Sequence, residues 1–289
     1  MGGLGNQLFQ YAAASTLAKR LQVPLYFDDS ELANSIRVYK LDQYEIYGVR
    51  LNAMLRHSFH LNRRLTSRGF GSLLKKVGFS PIRFYKENFF GYRKDFHSIE
   101  SPTWIYGYWQ SYRYFAEDAE RIRSELLYPK CFDEGVNAAL ASIRNGVSVG
   151  LHIRRGDYLT NRAAHDLHGI CDVSYFLSAL RVIRENIGFF KAVIFSDDPD
   201  WVRTEFIPIL ELNEIDFLMV SGMNGLRDVD ELFLLAQCTH QVISNSTFGW
   251  WGAWLNPASS KLVIRPVKWF QSSALDVSDL SPSEWIALH

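Results

Sequence analysis

The sequence is poor in cysteine, in net charge and in long apolar runs. Its 289 residues include three cysteines, Cys131, Cys171 and Cys238. They are odd in number, far apart and without metal-ligand spacing, which argues against a disulfide scaffold and reads as reduced thiols of a cytosolic protein. Lys+Arg and Asp+Glu each total 31, so no overall field draws the chain to nucleic acid. Apolar stretches such as residues 105–109 and 232–236 run about five residues, whereas a membrane-spanning helix needs roughly 20. The N-terminus has no basic region followed by an apolar run, so the expectation is a chain without a span or a signal peptide. What the sequence does have is apolar content. A hydrophobic share of 47% against 21% charged excludes disorder. The aromatic share of 15% suits an enzyme that stacks rings on sugars or bases, and equally an aromatic core.

The second half alternates strand and helix patterns. Residues 147–153 form a β-branched run, followed by a polar loop and a helix over 173–187 with Tyr175, Leu177, Leu180 and Ile183 at helical spacing. Further strands are expected at 192–195, 215–220, 241–244 and 262–264, with helices at 201–206, 228–238 and 249–255. Such alternation predicts an α/β fold with a parallel sheet covered on both faces, which binds ligands beyond the carboxyl ends of its strands. The first half is less regular, with a helix over residues 5–21, a strand at 25–27 and a domain break expected near Asn145-Gly146. Residues 46–86 contain no Asp or Glu but nine basic residues, among them Arg63, Arg64, Lys75 and Lys76. This is either a solvated face or a surface for anionic lipid or an anionic acceptor carrier. Residues 104–115 hold seven aromatics, read as core packing or as a sugar-stacking wall.

Three segments carry chemistry. His152-Ile153-Arg154-Arg155-Gly156-Asp157-Tyr158 sits at a predicted strand end, where an Arg fork grips phosphate oxygens in two places. The plainer reading is an Arg155–Asp157 ion pair, which leaves His152 and Arg154 unexplained. Ser244-Asn245-Ser246-Thr247-Phe248-Gly249 lies between a strand and a helix, where backbone N–H groups can bind an anion, unless Thr247 merely caps the helix. Gly2-Gly3-Leu4-Gly5-Asn6-Gln7 is a glycine-rich helix start, a weak signal alone. Asp228-Val229-Asp230 looks like the acidic pair with which many sugar transferases hold a divalent metal, but aspartates at a helix start also favour its dipole.

Together these segments, with His168-Gly169-Ile170-Cys171, Phe195-Ser196-Asp197-Asp198 and Trp250-Trp251-Gly252-Ala253-Trp254, resemble the bacterial α-1,2-fucosyltransferase family. The matches run in family order from residue 2 to about residue 255. Members usually carry a short hydrophobic strand before the glycine segment, whereas here Gly2 follows Met1 directly. The resemblance implies two Rossmann-like halves facing a cleft (a GT-B-like fold), with an acceptor-side domain over 1–145 and a GDP-fucose-binding domain over 146–289. It implies inverting transfer of L-fucose from GDP-β-L-fucose to the 2-hydroxyl of a galactose in a surface glycan, with no metal and no other cofactor. Arg154 would hold the β-phosphate and His152 would approach the guanine or its ribose. Glu231, with Asp230 as the alternative, would accept from guanine N1 and N2. Ser246 and Thr247, in the loop with Asn245, would bind the phosphates, with Phe248 nearby, and Asn6 and Gln7 would lie near the diphosphate and the transferred sugar. Asp157 is the expected general base, with His168 behind it. The expected location is the bacterial cytosol, with peripheral contact to anionic membrane through residues 46–86. Two rivals stand beside this: a metal-dependent glycosyltransferase using Asp228 and Asp230, and a non-catalytic carbohydrate-binding protein built on the aromatic stretch.

Overall fold

A computed structural model describes residues 1–160, 162–223 and 225–289, apart from the side chains of Asn34, Asp157, Thr160, Ala163 and Ala164. The chain divides into two compact units, one of residues 1–122 and 276–280, the other of residues 123–275 and 281–289.

In the first unit, α1 (Leu4–Leu21) carries Leu8, Phe9, Ala12 and Ala13 fully buried, with Lys19 and Arg20 in its last turn, where positive charge suits the helix dipole. Two short parallel pairs follow. β1 (Tyr26–Phe27) pairs with β2 (Val49–Arg50); after α2 (Ala53–Leu65), β3 (Arg83–Lys86) pairs with β4 (Thr103–Tyr106). Among the described residues the pairs belong to separate sheets. A cavity of about 480 Å³ is lined by both, including Leu25, Phe27, Trp104 and Ile105, and by Tyr11 and Leu17 of α1. Of the aromatic stretch, Trp109, Tyr114 and Phe115 are buried, with Trp109 packed on Phe96 and Tyr114, so those rings are core.

The second unit begins with the end of the helix Ala119–Leu126 and with α3 (Gly135–Arg144). The division thus falls between Ile122 and Arg123, not at the expected residues 145–146. The reason is packing: α3 lies against a later helix of this unit, and Arg144 Nη2 donates to Gln237 Oε1 at 2.8 Å. Then come β5 (Ser148–Ile153), α4 (Val173–Ile187), β6 (Lys191–Ser196), β7 (Asp216–Met219), α5 (Asp228–Gln237), β8 (His240–Ile243), α6 (Thr247–Leu255), β9 (Val263–Pro266) and β10 (Ile286–Leu288). The six strands form one parallel sheet in the order β10-β9-β8-β5-β6-β7. Counted from β5 this is the dinucleotide-fold order 3-2-1-4-5-6, with the order reversing between β5 and β8. All of β5 and β8 is buried, as befits central strands covered on both faces. Val149, Leu151, Phe176, Ala179, Ile183 and Ile194 belong to one continuous core. The last strand, β10, comes from the 276–289 tail and has no counterpart among the strands expected from the sequence.

Leu235 shows how tightly α5 and α6 are seated. A Cβ on Gly150 of β5 would lie 2.5 Å from Leu235 Cδ1, and one on Gly252 of α6 would lie 2.3 Å from Leu235 Cδ2. Glycine is required at both places because the fully buried leucine occupies the space. Gly252→Ala is therefore expected to destabilise the fold by roughly 1–3 kcal/mol through overpacking. In a double-mutant cycle measured by thermal unfolding, Leu235→Ala should remove most of that penalty; strictly additive effects would show that the two residues do not compete for one space.

Candidate active site

The site is built at the carboxyl ends of β5 and β8, where the strand order reverses and an open parallel sheet leaves a crevice. Ser244 joins the two strand ends. Its N–H donates to the His152 carbonyl at 3.0 Å, its Oγ donates to the same carbonyl at 2.7 Å, and that Oγ accepts from the Arg154 N–H at 3.0 Å. One hydroxyl thereby fixes the backbone on both sides of the crevice.

α6 starts directly after this junction. Its first residue is Thr247, so Ser246 occupies the cap position in place of the expected Thr247. The Ser246 side chain makes no capping hydrogen bond, and the first turn holds no acidic residue. The first N–H groups of a helix have no partner inside it and carry the positive end of its dipole, so this end suits an anion. His152, the penultimate residue of β5, is 5% exposed and stacks on Phe248 with centroids 5.3 Å apart. Its Nδ1 is buried without a hydrogen-bond partner among the described residues. Burial first, and then the Arg154 charge, push its pKa down to about 3 against the pull of Asp197, so the ring is neutral at ordinary pH. A Cβ on Gly249 would come within 2.7 Å of that Nδ1, so glycine there keeps the ring in place.

Arg154 Nη1 meets Asp197 Oδ2 at 3.1 Å, and its guanidinium lies 5.6 Å from the Tyr158 ring centroid. Arg155 turns elsewhere: its guanidinium sits 4.0 Å over Trp201, its Nε is 3.6 Å from Asp198 Oδ2, and its N–H donates to Asp197 Oδ1 at 2.8 Å. Burial alone would raise the Asp197 carboxyl, but Arg154 and the N–H groups of Arg155 and Gly156 hold it below the usual value. Asp198 accepts from the Trp201 N–H at 3.2 Å and so starts the helix after β6. Asp197 and Asp198 had no assigned role in the sequence; their place just after a buried strand is the signal that marks them.

Glu231 lies in the first turn of α5. Ser221 Oγ donates to its Oε2 at 2.8 Å and accepts from the Ser196 N–H at 2.8 Å, which ties the carboxylate to the end of β6. Burial, with Asp228 and Asp230 adding, pushes its pKa up to about 7, and the Ser221 hydrogen bond works in the opposite direction. Asp230 faces elsewhere. It is fully buried, accepts from Arg227 Nε at 2.9 Å and Nη2 at 3.0 Å, and closes the capping box of α5. It is thus committed to the helix start and is not available as an acceptor. Among the described residues no group of three His, Cys, Asp or Glu side chains is placed to hold a metal.

The other expected site residues sort as follows. Asn245 is 2% exposed and donates to the carbonyls of His168 and Trp269 at 2.7 and 3.3 Å, so its side chain is framework. The His168 ring is stacked on Tyr158 at 4.9 Å and packed on Phe270. Gln7, in the other unit, is 2% exposed; it donates to the Gly2 and Val38 carbonyls and accepts from the Lys40 N–H at 2.9 Å, leaving no amide group for a ligand. Asn6 Oδ1 accepts from Gln110 Nε2 at 2.9 Å. The side chain of Asp157 lies outside the described residues.

A neutral buried imidazole, an arginine and an uncapped helix start border one switch-point crevice, an arrangement suited to an anion. The comparisons make the class definite. The sequence pattern of Glycosyl transferase family 11 matches residues 1–289, and the chain belongs to that family. It is a glycosyltransferase, and the non-catalytic reading is set aside. It is 32% identical, over 99% of its length and 98% of the relative's, to the O-antigen biosynthesis glycosyltransferase WbnK of Escherichia coli. It is 29% identical, over 99% and 96% of the two lengths, to an alpha-1,2-colitosyltransferase of the same species. In fold it is similar to a solved structure of POFUT1 in complex with GDP-fucose, with a TM-score of 0.50 over 91% of this chain and 95% of that one at 11% identity.

Glu231 gives a pH test of this geometry. Its folded pKa lies above the ordinary value, so its contribution to stability is present below about pH 4.5 and is lost as pH rises through about 7. Relative to wild type, Glu231→Gln should be more stable at pH 8 than at pH 4.5, by roughly 1–3 kcal/mol, as read from unfolding midpoints. A constant difference across that range would mean the carboxyl is not perturbed.

Proposed function

We propose that the enzyme transfers L-fucose from GDP-β-L-fucose to the 2-hydroxyl of a galactose in a surface-glycan acceptor, with inversion. The observation that carries this reading is the crevice between the ends of β5 and β8, where Arg154 and the uncapped start of α6 supply positive potential without an acidic neighbour in the helix turn. Glycosidic cleavage passes through an oxocarbenium-like transition state, so negative charge grows on the departing diphosphate. A preorganised guanidinium and oriented N–H groups stabilise that charge more in the transition state than in the ground state. On this reading they do the work a divalent metal does elsewhere, and no cofactor is required. Ser246 and Thr247 belong to the diphosphate loop, and His152, neutral and flat against Phe248, adjoins the guanine or ribose. Glu231 reads the guanine edge, since two adjacent donors suit one bidentate acceptor. Asp157 takes the proton of the acceptor hydroxyl, with His168 as the alternative. The α-1,2 linkage is supported by the colitosyltransferase relative, an alpha-1,2-transferase. The same relative favours a second donor reading, because colitose is fucose without its 3-hydroxyl.

Calorimetric titration tests the nucleotide. GDP should bind in the presence of EDTA, while ADP and UDP should bind far more weakly because the buried carboxylate would be left unpaired. GDP affinity should fall as pH drops below about 7, where Glu231 takes up its proton, and Glu231→Gln should flatten that dependence. Equal binding of ADP, or binding abolished by EDTA, would contradict the reading. Transfer assays with GDP-fucose and GDP-colitose on a soluble β-galactoside separate the two donors.

A second prediction separates the arginines. Arg154→Lys should cost turnover roughly 100-fold or more, since an ammonium cannot reproduce the planar fork. Arg155→Lys should act mainly on the unfolding midpoint, because its guanidinium stacks on Trp201. The reverse pattern would exchange their roles.

A further inference from the structure

The basic stretch has a property that its sequence alone does not show. No residue of α2, of the wide helical turn Thr66–Phe70 or of the helix Gly71–Lys76 is buried. Large apolar side chains are nevertheless held in solvent along it: Met54 is 82% exposed and Val77 61%, and Leu61, Phe70, Leu73 and Phe79 are also exposed. Phe70, Leu73 and Val77 stand at helical spacing and Met54 and Leu61 are two turns apart, so the apolar groups form stripes. Water does not favour such a surface, and a contiguous exposed apolar set marks a contact.

The charges divide into two groups. Arg50 and Arg56 are neutralised by Asp29, with Arg56 also 3.2 Å from Asp28; Arg83 is paired with Glu100; Arg63 lies over the Phe84 ring and Lys86 over the Tyr106 ring. Arg64, Arg68, Lys75 and Lys76 remain exposed, and residues 46–86 contain no carboxylate to offset them.

We propose that residues 53–79 form a docking element that lies on an anionic lipid surface, its apolar side chains entering the headgroup boundary and its four exposed cations meeting lipid phosphates. A helical element with exposed Phe, Leu and Val beside Lys and Arg is the kind that adsorbs in the plane of a bilayer. Charge complementarity selects this partner. A second copy meeting this face symmetrically would set like charges against like. A nucleic acid would use the cations and leave the apolar stripes unexplained. The element lies outside the crevice residues, and the proposal does not depend on the identity of the donor sugar.

Sedimentation of the full chain with phosphatidylcholine vesicles, with and without phosphatidylglycerol, tests it. Binding should require the anionic lipid and should fade as salt rises and the Debye length falls from about 10 Å at 0.1 M to about 3 Å at 1 M. Changing Arg64, Arg68, Lys75 and Lys76 together to Gln should lower low-salt partitioning by roughly tenfold or more. Leu73→Ser with Val77→Ser should also weaken binding while keeping its salt dependence, and Arg64→Lys with Arg68→Lys should bind like wild type. All three variants should retain their circular dichroism and their transfer to a soluble acceptor. Failure to bind anionic vesicles, equal binding to neutral ones, or a Leu73→Ser, Val77→Ser variant that binds unchanged would overturn the proposal. So would salt-sensitive binding of duplex DNA in place of vesicles, or loss of soluble-acceptor transfer in the charge variant with its fold intact.

Discussion

One serine hydroxyl holds the site together. Ser244 Oγ donates to the His152 carbonyl and accepts from the Arg154 N–H, so the ends of the two central strands are locked at the point where the sheet reverses its order. A parallel sheet leaves the backbone groups at its strand ends without ladder partners, and a buried unpaired group costs about 1–3 kcal/mol. The Ser244 hydroxyl satisfies one of them, the Arg154 N–H, and adds a second hydrogen bond to the His152 carbonyl, which already accepts from the Ser244 N–H. By doing so it sets the rotation of the segment that presents His152 to Phe248 and Arg154 to Asp197.

Around this junction, buried polar groups divide into those already satisfied and those left open. Asn245, Asp230 and Gln7 are saturated by carbonyls, by Arg227 and by backbone, and their role is to hold chain segments in place. His152 Nδ1 and the first turn of α6 lack such partners among the described residues. Glu231 has one serine donor and a pKa pushed up to about 7. Perturbed and incompletely satisfied groups gathered at a crevice mark a place where a ligand completes the hydrogen bonding.

Much of the second unit was legible. β-branched runs bounded by turn residues gave five of its six strands, and helical spacing gave α4 with both ends as observed. α6 starts at Thr247, two residues before the expected Gly249, because Ser246 and Thr247 read as loop, and the earlier start brings the helix N-terminus to the crevice. β10 escaped because a short strand in a polar tail has no pattern of its own and forms only by pairing with β9. Side-chain direction was the least legible part. Asp230 and Glu231 are neighbours of similar chemistry. Arg227, itself held by Asp133 from nearly a hundred residues away, draws one inward, while Ser221 holds the other at the end of β6. Gln7 and Asn245 looked like ligand groups because the residues that saturate them are distant in sequence. The family, by contrast, was readable from motif order, since several weak segments in one sequence are jointly specific.

The central claim is that the crevice of the second unit, between the ends of β5 and β8, receives the diphosphate. Residue-resolved amide hydrogen exchange with and without GDP tests it most directly. The account predicts strong added protection at Arg154, Thr247, Phe248 and Gly249, whose N–H groups border the crevice, and little change along β10. Protection that appears elsewhere while residues 247–249 exchange as in the free protein would contradict it.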